Sequence, residues 1–248
     1  MSVVFVHGNP ETSAIWGPLV SALGRDDVVL LSPPGFGAPL PGDFGATFLE
    51  YRDWLEAELA TIDGPIDLVG HDWGGGHVVN VMMHRPELAR SWASDVVGLF
   101  DPDYVWHDMA LIWQTPGAGE ELLENMMGGG LPGRTELMTS LGIPSDIAAN
   151  IAQHQNDDMA KAILALYRSA AQPAMAEAGR NLGLAAARPG LSLLATDDPY
   201  IGAADTRCRA AERAGARTEV LDGLGHWWML EDPDRGAAAL TEFWNSLQ

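Results

Sequence analysis

The 248-residue sequence has one cysteine, Cys208, and one lysine, Lys161. A single cysteine excludes an intrachain disulfide framework. Cationic side chains are scarce as a class: 14 Lys plus Arg stand against 34 Asp plus Glu, a net charge of −20. That balance argues against nucleic acid as a partner, because phosphate binding needs a basic surface. It argues equally against docking on anionic membranes. Long hydrophobic runs are missing too; none nears the roughly 20 residues a membrane span requires. No basic leader segment precedes the first apolar run, Val3-Val4-Phe5-Val6. A reducing cytoplasmic location is therefore expected. The dinucleotide and phosphate-loop glycine patterns are absent, and no metal-ligand spacing links the histidines and acids. No cofactor and no metal is expected.

What is present is enough apolar material for a folded core, 47% of residues, and the acidity reads as solvated surface. Short apolar runs at 3–6, 28–31, 66–69, 92–97, 191–195 and 218–221 predict strands buried on both faces. Helical patterns fit between them at 13–23, 46–62, 74–84, 203–214 and 233–247. This alternation predicts an α/β fold, with a mostly parallel sheet of about six strands flanked by helices. The alternation breaks between 100 and 188, where only helices are expected, the clearest at 146–153 and 158–170. Residues 1–99 and 189–248 then form the core domain, and 100–188 form an inserted helical cap over the strand C-termini. The run Gly128-Gly129-Gly130 is expected to act as a hinge within it.

The strongest local motif is Gly70-His71-Asp72-Trp73-Gly74, between a strand and a helix. It has the form of a nucleophile elbow, with Asp72 at its tip where esterases carry Ser. His7-Gly8-Asn9-Pro10 follows the first strand and would bring the Asn9 N–H beside that of Trp73, as an oxyanion hole. Gly225-His226-Trp227-Trp228 follows the last strand and offers His226 as a base. Asp198, after the preceding strand, is the better candidate for its orienting acid; Asp197 and Asp95 are rivals. The order nucleophile, acid, base is that of the hydrolase pattern. The other histidines are expected to be structural: His7 and His71 within their motifs, and His77, His84, His107 and His154 as packing or surface residues.

These residues resemble the α/β-hydrolase family over essentially the whole chain. The aspartate at the elbow narrows the resemblance to its epoxide hydrolases and haloalkane dehalogenases. It implies that Asp72 forms an alkyl-enzyme ester, which His226, held by Asp198, hydrolyses. Because the chain enters this pattern at the strand before the Asn9 loop, the family's usual leading strands are not expected. Trp113-Gln114-Thr115-Pro116-Gly117-Ala118-Gly119-Glu120 is similar to a cap stretch of epoxide hydrolases, and Leu166-Tyr167-Arg168 to the segment carrying one of their two acid tyrosines. The loop Ser32-Pro33-Pro34-Gly35-Phe36-Gly37 is similar to theirs as well. The other tyrosine would fall near Met109, where there is none. Asn9 with Trp73 instead matches the halide-binding pair of dehalogenases. Epoxide hydrolysis with Tyr167 as acid is the leading expectation, and dehalogenation the alternative. A third option, from another class, is a non-catalytic binding protein that retained the fold. The expected substrate is small, apolar and uncharged, consumed with water, in a pocket walled by Phe36, Trp106, Met109, Trp113 and Trp227. A homodimer is left open.

Overall fold

The computed structural model describes residues 1–247. Six parallel strands form one sheet among the described residues: β1 (Ser2–Val6), β2 (Val28–Leu31), β3 (Ile66–Gly70), β4 (Ser91–Ser94), β5 (Gly190–Ala195) and β6 (Ala216–Leu221). Their order is β2-β1-β3-β4-β5-β6. Side chains alternate across each strand. Val3 and Phe5 therefore pack with the core of α1 (Gly17–Leu23) and α12 (Pro233–Asn245). Val4 and Val6 face the opposite core with α2 (Phe48–Leu59) and α3 (Trp73–His84). Both faces are covered, which is why the strands read as continuous apolar runs.

The chain leaves β1 outward to β2 and then returns to the other side of β1 to lay down β3. The loops after β1 and β3 thus diverge at a topological switch point, the place where α/β sheets hold ligands. Val6 is in register with Gly70. The residues that follow them, the Asn9 loop and the Asp72 elbow, are consequently neighbours. Glycine makes this approach feasible at Gly74, where a Cβ would collide with the Val6 and His7 carbonyls.

α2 and β4 depart most from the bounds the sequence predicts. α2 begins at Phe48 because Thr47 caps it: its hydroxyl takes the Glu50 N–H at 3.2 Å, and Glu50 reaches back to the Thr47 N–H at 3.1 Å. β4 stops at Ser94, where the chain turns into a 3-10 segment, Val97–Phe100. That turn frees the Asp95 side chain from the sheet.

Between β4 and β5 the chain is helical: α4 (Asp108–Gln114), α5 (Ala118–Gly128), α6 (Gly130–Ser140), α7 (Ser145–His154), α8 (Asp157–Ser169) and α9 (Ala174–Ala178). The triple glycine is the joint from α5 to α6, with Gly130 at φ +63°. α8 is tied to the core by the Phe48 N–H, which donates to Ser169 at 3.0 Å. The last elements are α10 (Ala204–Arg213), α11 (Trp228–Glu231) and α12. No described helix is long and apolar enough to cross a membrane.

Gly74→Ala is expected to destabilise the fold by about 1–3 kcal/mol, the usual cost of overpacking a filled site, or to prevent folding. Urea unfolding of the variant beside the parent chain measures it.

Candidate active site

Asp72 is the N-cap of α3 and has φ 48°, ψ −129°. Only one other non-glycine residue, Ala46, has positive φ among those described. The elbow thrusts the Asp72 carboxylate out beyond the sheet. Gly8 leaves room for it: a Cβ there would overlap the Asp72 side chain. The Asn9 N–H donates to Asp72 Oδ1 at 2.8 Å. Oδ2 accepts no hydrogen bond from the described residues. Burial pushes the Asp72 carboxyl above its ordinary value, against the pull of nearby His226.

His226 lies on the loop after β6, and its Nδ1 is 2.7 Å from Asp198 Oδ2. Asp198 also accepts the Tyr200 N–H at 2.8 Å, which fixes the carboxylate. Burial disfavours a charged His226, but the Asp198 carboxylate outweighs it, and the imidazole pKa is raised. Asp197 turns away to Thr196.

Asp95, the rival acid, serves another imidazole. Its Oδ2 is 2.5 Å from His71 Nδ1 and accepts the Trp228 indole N–H at 2.7 Å. Its Oδ1 takes the Asp72 N–H at 3.0 Å. The far nitrogen of His71 meets Glu11 Oε1 at 3.1 Å, which also accepts the Trp227 indole N–H at 2.5 Å. Glu11, His71 and Asp95 are all buried. Both nitrogens of His71 thus face carboxylates, which only accept, so both carry protons. Burial opposes this, but Glu11 and then Asp95 raise the His71 pKa well above normal. His71 stacks obliquely on His226, ring centroids 4.6 Å apart. Glu11, His71 and His226 lie close enough to ligate one ion. With both His71 nitrogens protonated, the set has no lone pair there for a metal.

A cavity of about 280 Å³ opens over Asp72 and His226, roofed by Met109, Trp113, Leu122, Met126 and Tyr167. Most of its lining is apolar. A recess of about 20 Å³ adjoins it, bounded by Asp72, Trp73, Trp106, His107 and Tyr167 among others. Met109, Trp113 and Trp227 line the main cavity and Trp106 the recess. Phe36 does not line either one. The turn closed by Phe36 N–H to Pro33 O, at 2.8 Å, points its ring into the core against Tyr51. The tyrosine in turn bonds Pro34 O at 2.7 Å.

The Tyr167 hydroxyl is 3.4 Å from Asn9 Nδ2, and the Trp73 indole faces it edge-on, centroids 5.4 Å apart. Burial and then the Asp72 charge raise the Tyr167 pKa well above normal, while Asn9 and Trp73 act against the rise.

Residues 3–239 match the alpha/beta hydrolase family. The chain belongs to that family. Among relatives, a haloalkane dehalogenase of Mesorhizobium japonicum is 29% identical over 137 residues. That match takes in 49% of this chain and 42% of the relative, so it spans less than half of that protein. Epoxide hydrolase A of Mycobacterium tuberculosis is 25% identical over 301 aligned positions, covering 99% of this chain and 91% of the relative. A loop variant of the haloalkane dehalogenase DbeA from Bradyrhizobium elkanii superposes with a TM-score of 0.72 at 20% identity. It covers 99% of this chain and 90% of that one, and at such identity shows the shared fold alone.

Two residues of this alpha/beta hydrolase site had no assigned role in the sequence. Glu11 directly follows the Asn9 loop motif, but its burial and its reach to His71 are tertiary facts. His107 was expected to be a packing or surface residue and instead lines both cavities. Its only sequence signal is a position just before the cap stretch Trp113–Glu120.

His71 is expected to remain doubly protonated across neutral pH, with both ring protons visible by nitrogen-edited NMR. Glu11→Gln removes the carboxylate that does most to raise its pKa and should bring its titration down in pH.

Proposed function

We propose that the protein is an epoxide hydrolase, converting a small, apolar, uncharged epoxide and water to a vicinal diol. The observation that carries this reading is the position of the Tyr167 hydroxyl. The Asn9 amide, which with the Trp73 indole would hold a departing halide, donates to the phenol oxygen at 3.4 Å instead, and the indole packs edge-on against the phenol ring. A phenol that accepts N–H donors keeps its own proton for donation, and those donors stabilise the phenolate left behind.

On this reading one Asp72 oxygen attacks an epoxide carbon. The carbon–oxygen bond breaks, its electron pair moves to oxygen, and Tyr167 protonates that alkoxide. An alkoxide is far more basic than phenolate, so the raised pKa of Tyr167 keeps the proton in place until the ring opens. His226, oriented by Asp198, then takes a proton from water, and the hydroxide adds to the Asp72 ester carbonyl. The resulting oxyanion is held by the Asn9 N–H and the first N–H of α3, at Trp73. Collapse expels the diol oxygen, which takes the proton from His226. The carboxyl proton left on Asp72 returns to Tyr167. The apolar roof of the cavity supports a substrate with no charge and no distal polar group.

Dehalogenation is the second reading, and the same observation favours it in part. Asn9 and Trp73 converge on one point, so a Tyr167 that swung away would leave an anion site.

The enzyme should release diol from styrene oxide and no bromide from a terminal bromoalkane. Tyr167→Phe should lower diol formation on the order of 10²-fold or more, the usual scale for a lost general acid. Bromide release that persists in Tyr167→Phe would transfer the assignment to dehalogenation. No product from either compound would refute both readings.

His226→Gln should trap the ester. Intact mass should then rise by the mass of the epoxide, with the label on the peptide containing Asp72; an unlabelled Asp72 would refute covalent catalysis there.

A further inference from the structure

We propose that the substrate is an epoxide with one slim carbon and one bulky one. The slim carbon carries nothing larger than methyl, and the other takes a large apolar arm of variable shape. The inference rests on the epoxide hydrolase reading and deepens it. It begins with the unequal cavities at the nucleophile, about 280 Å³ on one side and about 20 Å³ on the other. Asp72, His107, Tyr167 and Tyr200 border both, so these four residues mark the junction.

Each of the four brings a polar side chain to that junction. Tyr200 is bonded through its main chain, its N–H to Asp198 and its carbonyl from Tyr104, and its hydroxyl bonds no described group. The oxirane is the one polar part of the substrate and belongs here, with a carbon against Asp72 and its oxygen at Tyr167. The two ring carbons then point their substituents apart. In a trans-1,2-disubstituted epoxide the arms leave the ring on opposite sides. One arm lies in the large cavity and the other in the recess.

The recess is rigid. The rest of its wall is Trp73, Val96, Leu99, Tyr104, Trp106 and Ile201, all buried. Trp73 and Trp106 stack with centroids 5.9 Å apart, and Tyr104 sits edge-on to Trp106 at 5.1 Å. The Tyr104 hydroxyl, donating to the Tyr200 carbonyl at 3.3 Å, closes the ring of contacts. Such close-packed walls do not give way to an added methylene without strain. The volume is that of one water-sized group, so a methyl enters and an ethyl does not.

The large cavity is built differently. Met109, Met126 and Met138 line it, and unbranched thioether side chains repack around different shapes. The site is therefore strict at one epoxide carbon and permissive at the other. Strictness is set by Val96 and Leu99 after β4, Trp106 before α4 and Ile201 after β5.

The test compares kcat/KM of wild type for styrene oxide and its trans-β-methyl, trans-β-ethyl and trans-β-phenyl derivatives. The methyl derivative should stay within about tenfold of styrene oxide. The ethyl derivative should fall about tenfold to two-hundredfold below the methyl, the usual worth of one methylene in a fitted pocket, and the phenyl derivative should give no diol. A para-butyl styrene oxide, longer only on the other side, should stay within about tenfold of the parent compound. Leu99→Ala and Ile201→Ala, on separate elements, each enlarge the recess. In either folded variant the ethyl-to-methyl ratio should rise about tenfold or more. Equal turnover of the ethyl and methyl derivatives by wild type would overturn the proposal. So would a ratio unmoved in both variants, or loss of turnover with the para-butyl compound. Diol from styrene oxide in those cases leaves the underlying reading in place. Absence of diol from every compound would overturn that reading and this proposal together.

Discussion

The hydrogen bond from the Asp72 N–H to Asp95 is the contact on which the site most depends. A non-glycine residue in such a backbone conformation costs about 1–3 kcal/mol and persists only where its surroundings over-determine it. Asp95 supplies part of that constraint from β4, one strand away. The rest comes from α3, whose Gly75 and Gly76 N–H groups bond the His71 and Asp72 carbonyls at 3.1 and 3.0 Å. The early end of β4 belongs to the same design. Continued as a strand to residue 97, the chain would have kept Asp95 in the sheet's own alternation. Turning instead at Ser94, it aims a carboxylate along the back of the elbow.

The same carboxylate links the elbow to a buried charge row: Asp95, His71, Glu11. An anion on each side of one imidazolium leaves a net negative charge beneath the cavity. His226 stands between opposing influences. Asp198 and Asp72 favour its protonation, whereas burial and His71 oppose it. The balance raises its pKa without the extreme shift of His71. A base so placed can take a proton and release it again, while His71, clamped by two acids, cannot cycle. The two adjacent imidazoles therefore have different work: one holds geometry and, on the proposed reading, the other moves protons.

The fold was legible because strand runs and helix stops are local signals. A mostly parallel sheet of about six strands followed from the alternation and the family resemblance, whereas the order of its strands did not, and the errors fell at ends such as residue 97, where a tertiary contact overrides propensity. Asp72, His226 and Asn9 were legible for a related reason, since each sits in a short motif at a strand's C-terminal end. The competition between Asp95 and Asp198 could not be decided that way. Both follow strands, and only the registry of β4, β5 and β6 sends one to His71 and the other to His226. Phe36 was misplaced because its loop motif does not encode which way the turn at Pro33 faces. His107 was overlooked because a lone histidine beside a helix start has no chemistry until a cavity forms around it.

The residues that would decide the reaction are divided between two parts of the chain. On the proposed reading, the nucleophile Asp72, the base His226 and the main-chain donors all belong to loops of the sheet. Superposition on a dehalogenase at 20% identity shows the shared fold alone and carries no weight about substrate. On the proposed reading, the discriminating group is the Tyr167 hydroxyl on α8. The Asn9 side chain joins the two parts, because its amide reaches from the β1 loop to the Tyr167 hydroxyl. One such donor pair can steady a phenol or a halide, but both cannot occupy the same point. On the proposed reading, the placement of α8, tied at Ser169 to the first turn of α2, is what gives Asn9 a phenol to hold in place of a halide. On this reading the reaction is determined by how the helices dock on the sheet, and the elbow alone leaves it open.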